Sequence, residues 1–324
     1  MRILSPDVRD IPPRTDGDRE QFLHPTCAEF LAMSTPGVPG RMTMPARPTT
    51  DRSIHLDLLR ALCGTDGGDA PALDADQVHV WRMPLDTAVT ATGDLHRLLD
   101  GAERERADRL RGDRLRQRFV AGRALVRILL GWYLDRDPQG LRLVVSALGK
   151  PGLEAQGRGP TLQFNVAHSG DELLVALCAR HALGVDVEQM RVVDDFNAIA
   201  RANFAADEVR ALQRLPVARR AEAFIAAWTR KEAVVKSLGR GLHEPLDAFV
   251  VEVDPDAPAR LLAFGGDREA AAGWTLWGAR LPSGAHACVA VAAAGMEVRP
   301  FGAWVDPVAP EPPIRGLAAP HASN

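Results

Sequence analysis

The pattern of apolar and polar positions divides the middle of the chain into helices and strands. Apolar residues recur with a helical period over 95–134, 195–212 and 218–238, so we expect helices there. Alternating or short apolar runs predict strands over residues 78–83, 141–146, 161–167, 172–179, 184–188, 249–253, 274–280 and 286–293. The order of helix, strands, helix and strands indicates two similar α+β halves.

The two ends of the chain differ in composition from this middle part. Residues 34–50 read STPGVPGRMTMPARPTT, and a short helix from Ile54 to Cys63 is the one element that the first 76 residues suggest. Segments of this kind bury too little apolar surface to offset the entropy of ordering. We therefore expect a disordered extension over 1–76, halves over 77–180 and 181–299, and a flexible tail over 300–324.

Composition and charge exclude several classes of protein. The chain has 324 residues, 46% of them apolar, and a formal net charge of −3, which does not favour binding to nucleic acid or to an anionic membrane. No apolar run reaches the roughly 18 to 20 residues of a membrane helix, and the first residues lack the apolar stretch of a secretory signal. The four cysteines show no CxxC spacing. These features predict a cytoplasmic protein without a membrane span.

Lysine is unusually rare in this sequence. Only Lys150, Lys231 and Lys236 are present, so 36 of the 39 basic residues are arginines. An ammonium group retained in such a background indicates a position where a compact point charge is preferred to a planar guanidinium. Chance is the alternative explanation.

A first candidate site is the alternating segment Val185–Asp186–Val187–Glu188. In a strand the two carboxylates project to one face and the two valines to the other. Adjacent carboxylates repel each other unless a positive charge lies between them, and Mg²⁺ prefers such oxygen ligands. The alternative is an exposed strand with two solvated acids.

A second candidate lies on the helix predicted over 218–238. Glu232 and Lys236 are four residues apart and share a face. Glu232 could be a third metal ligand or a base, and Lys236 could bind phosphate. The alternative is an ordinary surface pair that stabilises the helix by about 0.2–0.5 kcal/mol.

Together these segments resemble the Sfp-type 4'-phosphopantetheinyl transferases from about Val78 to Val298. The motifs that carry the resemblance are FNVAHSG (164–170), GVDVE (184–188), WTRKEAVVKSLGRGLHEPLDAF (228–249), RFVAGRALVRILL (118–130) and LGKP (148–151). The resemblance implies an α+β fold of two pseudo-symmetric subdomains with the active site in the cleft between them. It also implies transfer of the phosphopantetheine arm of coenzyme A to a serine of an apo carrier protein, with release of 3',5'-ADP.

The resemblance further implies a metal site and a base. Asp186, Glu188 and Glu232 would hold Mg²⁺ against the pyrophosphate of coenzyme A, and Lys236 would contact the same phosphates. Phosphoryl transfer depends mainly on positioning and charge stabilisation, and a carboxylate can accept the serine proton. Glu232 is the candidate base, with Glu188 as the second choice, so Glu232 and Lys236 are the candidate catalytic residues.

The nucleotide end of coenzyme A would be held by Arg118, Lys150 and His168, according to the same resemblance. Ala167 stands where the family often has serine, so one hydroxyl contact is absent, which weakens binding by about 0.5–1.5 kcal/mol. His168 could instead be a turn residue bonded to local backbone.

The expected partners are coenzyme A and apo acyl or peptidyl carrier proteins. The resemblance is to the longer, monomeric type of the family, which favours a role in polyketide or nonribosomal peptide synthesis over a dedicated role in fatty acid synthesis. Carriers are acidic, so an apolar face with arginines is expected to bind them. Core packing explains the apolar candidates for that face equally well. The candidates are Phe196, Phe204, Val209 and Leu212, beside Arg201 and Arg210. The alternative function is a catalytically inactive module that binds coenzyme A or a carrier; an arginine-rich nucleic-acid protein is disfavoured by the balanced charge.

Overall fold

The computed structural model describes residues 50–65, 68–91, 95–146, 150–154, 162–239 and 245–305. The expectations for residues 1–49 and 306–324 therefore lie outside the described residues, as do Leu148 and Gly149 of the LGKP motif. None of the helices in the described ranges is long and apolar enough to cross a membrane.

The described ranges contain eight α-helices and eleven strands. The helices are α1 (Thr50–Cys63), α2 (Leu85–Ala91), α3 (Gly101–Arg109), α4 (Asp113–Leu134), α5 (Phe196–Asn203), α6 (Ala206–Arg214), α7 (Val217–Leu238) and α8 (Arg268–Ala272). The strands are β1 (Gln77–Pro84), β2 (Leu143–Val145), β3 (Pro151–Leu153), β4 (Gln163–Ser169), β5 (Glu172–Cys178), β6 (Leu183–Glu188), β7 (Phe249–Val251), β8 (Leu261–Phe264), β9 (Thr275–Arg280), β10 (His286–Val291) and β11 (Glu297–Phe301).

The first half is a sheet covered on one face by the long helix α4. Its strands lie in the order β11-β1-β5-β4, and β11 runs parallel to β1 whereas the other neighbours are antiparallel. Leu125 and Leu129 of α4 pack with Val166 of β4 and Leu173 of β5 in one buried cluster. The hairpin predicted around residues 168–171 is confirmed, and Gly170 provides its turn with a φ of 57°.

The second half repeats this arrangement with α7 on a sheet of order β6-β10-β9. Phe224 and Trp228 of α7 pack with Leu276 of β9 and Cys288 of β10. The repeat of one long helix on one mainly antiparallel sheet confirms the predicted α+β fold.

The uncovered faces of the two sheets pack against each other. A third buried cluster contains Val80 and Ala176 from the first sheet together with Val185, Val187 and Val289 from the second. The valines of GVDVE therefore face the other half, and the even-numbered residues of β6 face α7.

Two predicted helical regions are interrupted in the structure. The region 95–134 forms a 3-10 turn (Leu95–Leu98), α3 and α4, and Gly112 before α4 has a φ of 98° that a continuous helix does not allow. The region 195–212 divides into α5 and α6 because Phe204 adopts an extended conformation.

The structure contains elements beyond residues 77–299 at both ends, and the short helix expected from Ile54 to Cys63 is part of α1. Residues 50–63 form α1, in which Leu58 and Leu59 are buried in the first core, because α1 packs against β1 and α2. At the other end β11 extends to Phe301, whose ring stacks on Trp81 at a centroid distance of 4.1 Å. The division at 180/181 stays a prediction.

Replacing Leu59 with alanine is expected to destabilise the protein, since this fully buried side chain fills the first core. The free energy of unfolding from denaturant titration should fall by about 2–5 kcal/mol. The control Leu115→Ala, on a half-exposed side chain of α4, should change it by less than about 0.5 kcal/mol. Equal effects of both changes would contradict the packing of α1.

Candidate active site

Two carboxylates on β6 form the centre of the candidate site. Asp186 is 2% exposed and Glu188 is 9% exposed, and both lie on the face of β6 opposite the valines. The alternative of an exposed strand with two solvated acids is therefore wrong. Buried carboxylates need a compensating partner, since burial without one is costly.

Helix α7 approaches β6 closely at Gly184, which is what brings a cation to these acids. A Cβ atom on residue 184 would lie 2.0 Å from the carbonyl oxygen of Ala233 and 2.4 Å from the amide nitrogen of Ser237. Only glycine allows this contact between helix and strand backbones. As a result Lys236 Nζ lies 2.6 Å from Asp186 Oδ1. Lys236 is therefore not part of an ordinary surface pair with Glu232, because it binds a buried acid on another element.

Negative charge is concentrated around Glu188. Burial raises the pKa of Asp186, an effect that Lys236 opposes. Burial, and then the negative charges of Asp186 and Glu232, raises the pKa of Glu188 to about 8, while Arg191 and Lys236 act in the opposite direction. The charges of all three predicted acids therefore affect one site.

The predicted magnesium site is not shown directly. Among the described residues, no group of three or more His, Cys, Asp or Glu side chains is arranged to hold a metal ion as it stands. The donor set nevertheless suits Mg²⁺, because Asp186 Oδ2 is a buried carboxylate oxygen without a hydrogen-bond partner and Glu188 is destabilised by neighbouring negative charge. The chemistry of these residues agrees with a hard cation, and its binding stays a prediction.

Arg118 and His168 lie at the turn end of the β4–β5 hairpin in the first half. Arg118 donates from Nε to Asp86 Oδ1 at 2.7 Å and forms an ion pair with Asp171 at 3.5 Å. Asp171 lies in the turn of this hairpin, and His168, in β4 just before the turn, is half-buried. Ser169, next to His168, has its Oγ 3.5 Å from Glu188 Oε2. The hairpin end thus connects the predicted nucleotide-binding residues to the acids of β6.

Lys150 occupies a different environment from the one expected. Its ammonium group donates hydrogen bonds to the carbonyl oxygens of Leu183 (2.9 Å), Lys236 (2.8 Å) and Ser237 (3.3 Å). Burial lowers the pKa of Lys150 to about 8. In this structure the ammonium group is engaged with backbone at the end of α7 and the start of β6.

Sequence reasoning missed a buried ion pair that supports the site. Lys231, next to Glu232 on α7, lies 2.8 Å from Glu208 and donates to the carbonyl oxygens of Leu246 (2.6 Å) and Phe249 (2.8 Å). The pair ties α7 to α6 and β7. The rarity of lysine was the available signal, because it marked Lys231 as a position where a compact point charge is preferred to a guanidinium.

The apolar candidates for carrier binding belong largely to the core. Phe204 and Leu212 are buried in the second cluster, and Phe196 and Val209 are half-buried against it. Packing rather than docking therefore explains these residues. In contrast, Val192 is 91% exposed shortly after Glu188.

Comparisons with known proteins define the class of this chain. Residues 182–292 match the model of the 4'-phosphopantetheinyl transferase superfamily. The 4'-phosphopantetheinyl transferase HetI of Nostoc sp. (strain PCC 7120) is 32% identical over 223 residues, which cover 69% of this chain and 91% of HetI. The 4'-phosphopantetheinyl transferase of Bacillus subtilis is 31% identical over 141 residues, covering 43% of this chain and 59% of the relative.

A further relative extends the same result. The putative 4'-phosphopantetheinyl transferase slr0495 of Synechocystis sp. (strain PCC 6803) is 34% identical over 175 residues, covering 54% of this chain and 70% of the relative. The chain therefore belongs to the 4'-phosphopantetheinyl transferase family and is an enzyme of that class.

The raised pKa of Glu188 predicts a pH-dependent stability in metal-free buffer. Because the carboxyl is neutral more readily in the folded state, its contribution to stability is fully present below about pH 4.5 and is lost as the pH rises through about 8. Glu188→Gln should therefore melt above the wild type at about pH 8.5, by about 2–4 °C for each kcal/mol of charge penalty removed.

Calorimetry of both proteins in EDTA measures this difference. The two melting temperatures should converge as the pH falls towards 4.5, where both side chains are neutral. A difference that does not change with pH would show that the substitution acts through packing rather than through charge.

Proposed function

We propose that this transferase moves the 4'-phosphopantetheine arm of coenzyme A to a serine hydroxyl of an apo acyl or peptidyl carrier protein, in a Mg²⁺-dependent reaction that releases 3',5'-ADP. The observation that carries the proposal is the buried acid pair of β6 facing Lys236 of α7, with a contact of 2.6 Å between Lys236 and Asp186. Membership of the family supports transfer to carrier proteins. The catalytically inactive alternative is not favoured, because the chain retains the acids and the lysine that a reaction would use.

The residues of this chain would bind coenzyme A from both halves. Lys236 is 15% exposed, so its ammonium group can reach solvent and a phosphate while Asp186 holds its position. Arg118 and His168 of the first half would contact the nucleotide end. Because Asp86 and Asp171 orient the Arg118 guanidinium, little side-chain entropy is lost when it contacts a phosphate.

Asp186, Glu188 and Glu232 are the residues that would hold Mg²⁺. A bound magnesium ion neutralises negative charge on phosphate oxygens. The orphaned Asp186 Oδ2 and the negative charge around Glu188 support this assignment.

Transfer requires an acceptor for the proton of the serine. The serine oxygen forms a bond to the phosphorus that bears the pantetheine arm. The bond between that phosphorus and the bridging oxygen of the pyrophosphate breaks, and 3',5'-ADP leaves with that oxygen and the electron pair. We assign Glu232 as the base that takes the proton, directly or through one water, because it is only half-buried and thus more accessible than Glu188.

The carrier is expected to bind next to β6. Met190 and Val192 are exposed directly after the strand, and Arg191 between them is exposed as well. An apolar surface with a cation suits an acidic carrier. A monomeric enzyme that acts in the cytoplasm on carriers of polyketide or nonribosomal peptide synthesis completes the proposal.

Asp186→Ala is expected to lower transfer by at least about 10²–10³-fold, since it removes a central charged group of the site. Intact mass measurement of an apo carrier incubated with enzyme, coenzyme A and Mg²⁺ detects the added arm. Asp194→Ala, on an exposed residue after β6, is the matched control and should transfer normally. Near-normal turnover by a folded Asp186→Ala protein, judged by circular dichroism, would refute the metal-site assignment.

Lys236→Ala should raise the KM for coenzyme A by about tenfold or more, because a charge-assisted hydrogen bond to phosphate is lost. The KM for the carrier should change by less than about threefold, since Lys236 lies between α7 and β6 rather than on the exposed segment after β6. Steady-state kinetics with each substrate varied in turn distinguishes the two constants. An unchanged dependence on coenzyme A would contradict the phosphate role.

A further inference from the structure

One edge of β6, the strand that carries Asp186 and Glu188, is not paired with any strand among the residues that the structure describes. The other edge of β6 pairs with β10, and β4, the edge strand of the first sheet, lies beside β6. No strand ladder joins β4 to β6 within the described ranges. Since buried backbone groups must be paired, the N–H and C=O groups along this edge need other partners.

Two side chains of β4 supply partners along this edge. Asn165 Oδ1 accepts a hydrogen bond from the Val185 N–H at 2.9 Å. Ser169 Oγ accepts one from the Gln189 N–H at 3.2 Å. Asn165 and Ser169 are four residues apart on a strand, so both point from the same face of β4 towards the second half.

Lys150, directly before β3, supplies a third partner. Its ammonium group donates to the carbonyl oxygen of Leu183 at 2.9 Å and also to the last turn of α7, through the carbonyl oxygen of Lys236 at 2.8 Å. The backbone groups of alternate residues of a strand point to the same edge. Leu183, Val185 and Gln189 therefore present one edge, and the three side chains that bond to it all come from the first half.

We infer that Lys150, Asn165 and Ser169 are positioning residues that take the place of a neighbouring strand along β6. Their hydrogen bonds fix Asp186 and Glu188 relative to Arg118 and His168 on the first half. The inference rests on the proposed function, because β6 matters for transfer only if it carries the acids of the site. It replaces the nucleotide contact that the family resemblance implies for Lys150.

The hydrogen bonds of Lys150, Asn165 and Ser169 can position β6 because they are polar and directional. The surrounding interface between the sheets is apolar, with Ala167 between Asn165 and Ser169 belonging to that core. Apolar contacts allow small shifts of one strand along another, whereas hydrogen bonds to particular backbone atoms fix the register. Displacement of reacting groups by about 1 Å can cost about 100-fold in rate, so a fixed register is important for catalysis.

Hydrogen exchange tests the contacts without any substrate. Ser169→Ala should accelerate exchange of the Gln189 amide by about tenfold or more, and Ser169→Thr, which keeps the hydroxyl, should stay within about threefold of the wild type. In the kinetic test below, Arg142→Met is the matched control for Lys150→Met, since Arg142 is an exposed cation directly before β2 and close to Lys150 in sequence. Unchanged exchange in Ser169→Ala would overturn the inference.

Kinetics then tests the consequence for transfer. Lys150→Met should lower kcat by about tenfold or more while the dissociation constant of 3',5'-ADP, from calorimetry, changes by less than about threefold, and Lys150→Arg should recover part of kcat. A weakened affinity for 3',5'-ADP with an unchanged kcat would show a direct phosphate contact and overturn the assignment.

Ser169→Ala keeps the test decisive if Lys150→Met does not fold. A wild-type kcat in Ser169→Ala, despite faster exchange at Gln189, would overturn the link between the edge of β6 and catalysis. Absence of transfer by the wild-type enzyme would instead refute the proposed function, and the exchange experiment would still decide how β6 is held.

Discussion

Burial of negative charge between β6 and α7 is the constraint on which the rest of the site depends. Asp186 and Glu188 lie in a low-dielectric environment that raises the pKa of both carboxyls. Such a site is stable only with a cation close by, and Lys236 provides one because Gly184 allows the helix to contact the strand backbone. The contact between helix and strand and the chemistry of the site are thus consequences of one packing arrangement.

The sequence predicted this arrangement where its pattern was local and regular. The alternation of GVDVE correctly placed two valines in the core and two acids on the opposite face. The helical period of residues 218–238 correctly predicted α7, and the turn residues around Gly170 correctly predicted the hairpin. These features could be predicted because each depends on neighbours within a few residues.

Other features depend on contacts between distant parts of the chain and could not be predicted. The three bonds of Lys150 join residues about 33 to 87 positions apart, so no local pattern distinguishes this role from a phosphate contact. Likewise Leu58 and Leu59 follow a region of poor composition, and only the surface of the first core explains why α1 is ordered. All three lysines form hydrogen bonds within the protein. Lys150 and Lys231 donate to carbonyl oxygens and Lys236 donates to a carboxylate. These contacts agree with the preference for a compact cation at the three positions.

The position of β11 has a consequence for how the chain reaches its folded state during synthesis. This strand follows the strands and helices of the second half in the chain, yet it pairs with β1 and places Phe301 on Trp81 in the sheet of the first half. Until β11 emerges from the ribosome, β1 has an unpaired edge and the ring of Trp81 is uncovered. The first half therefore cannot complete its sheet before the second half has been synthesised, and the two halves mature together rather than one after the other.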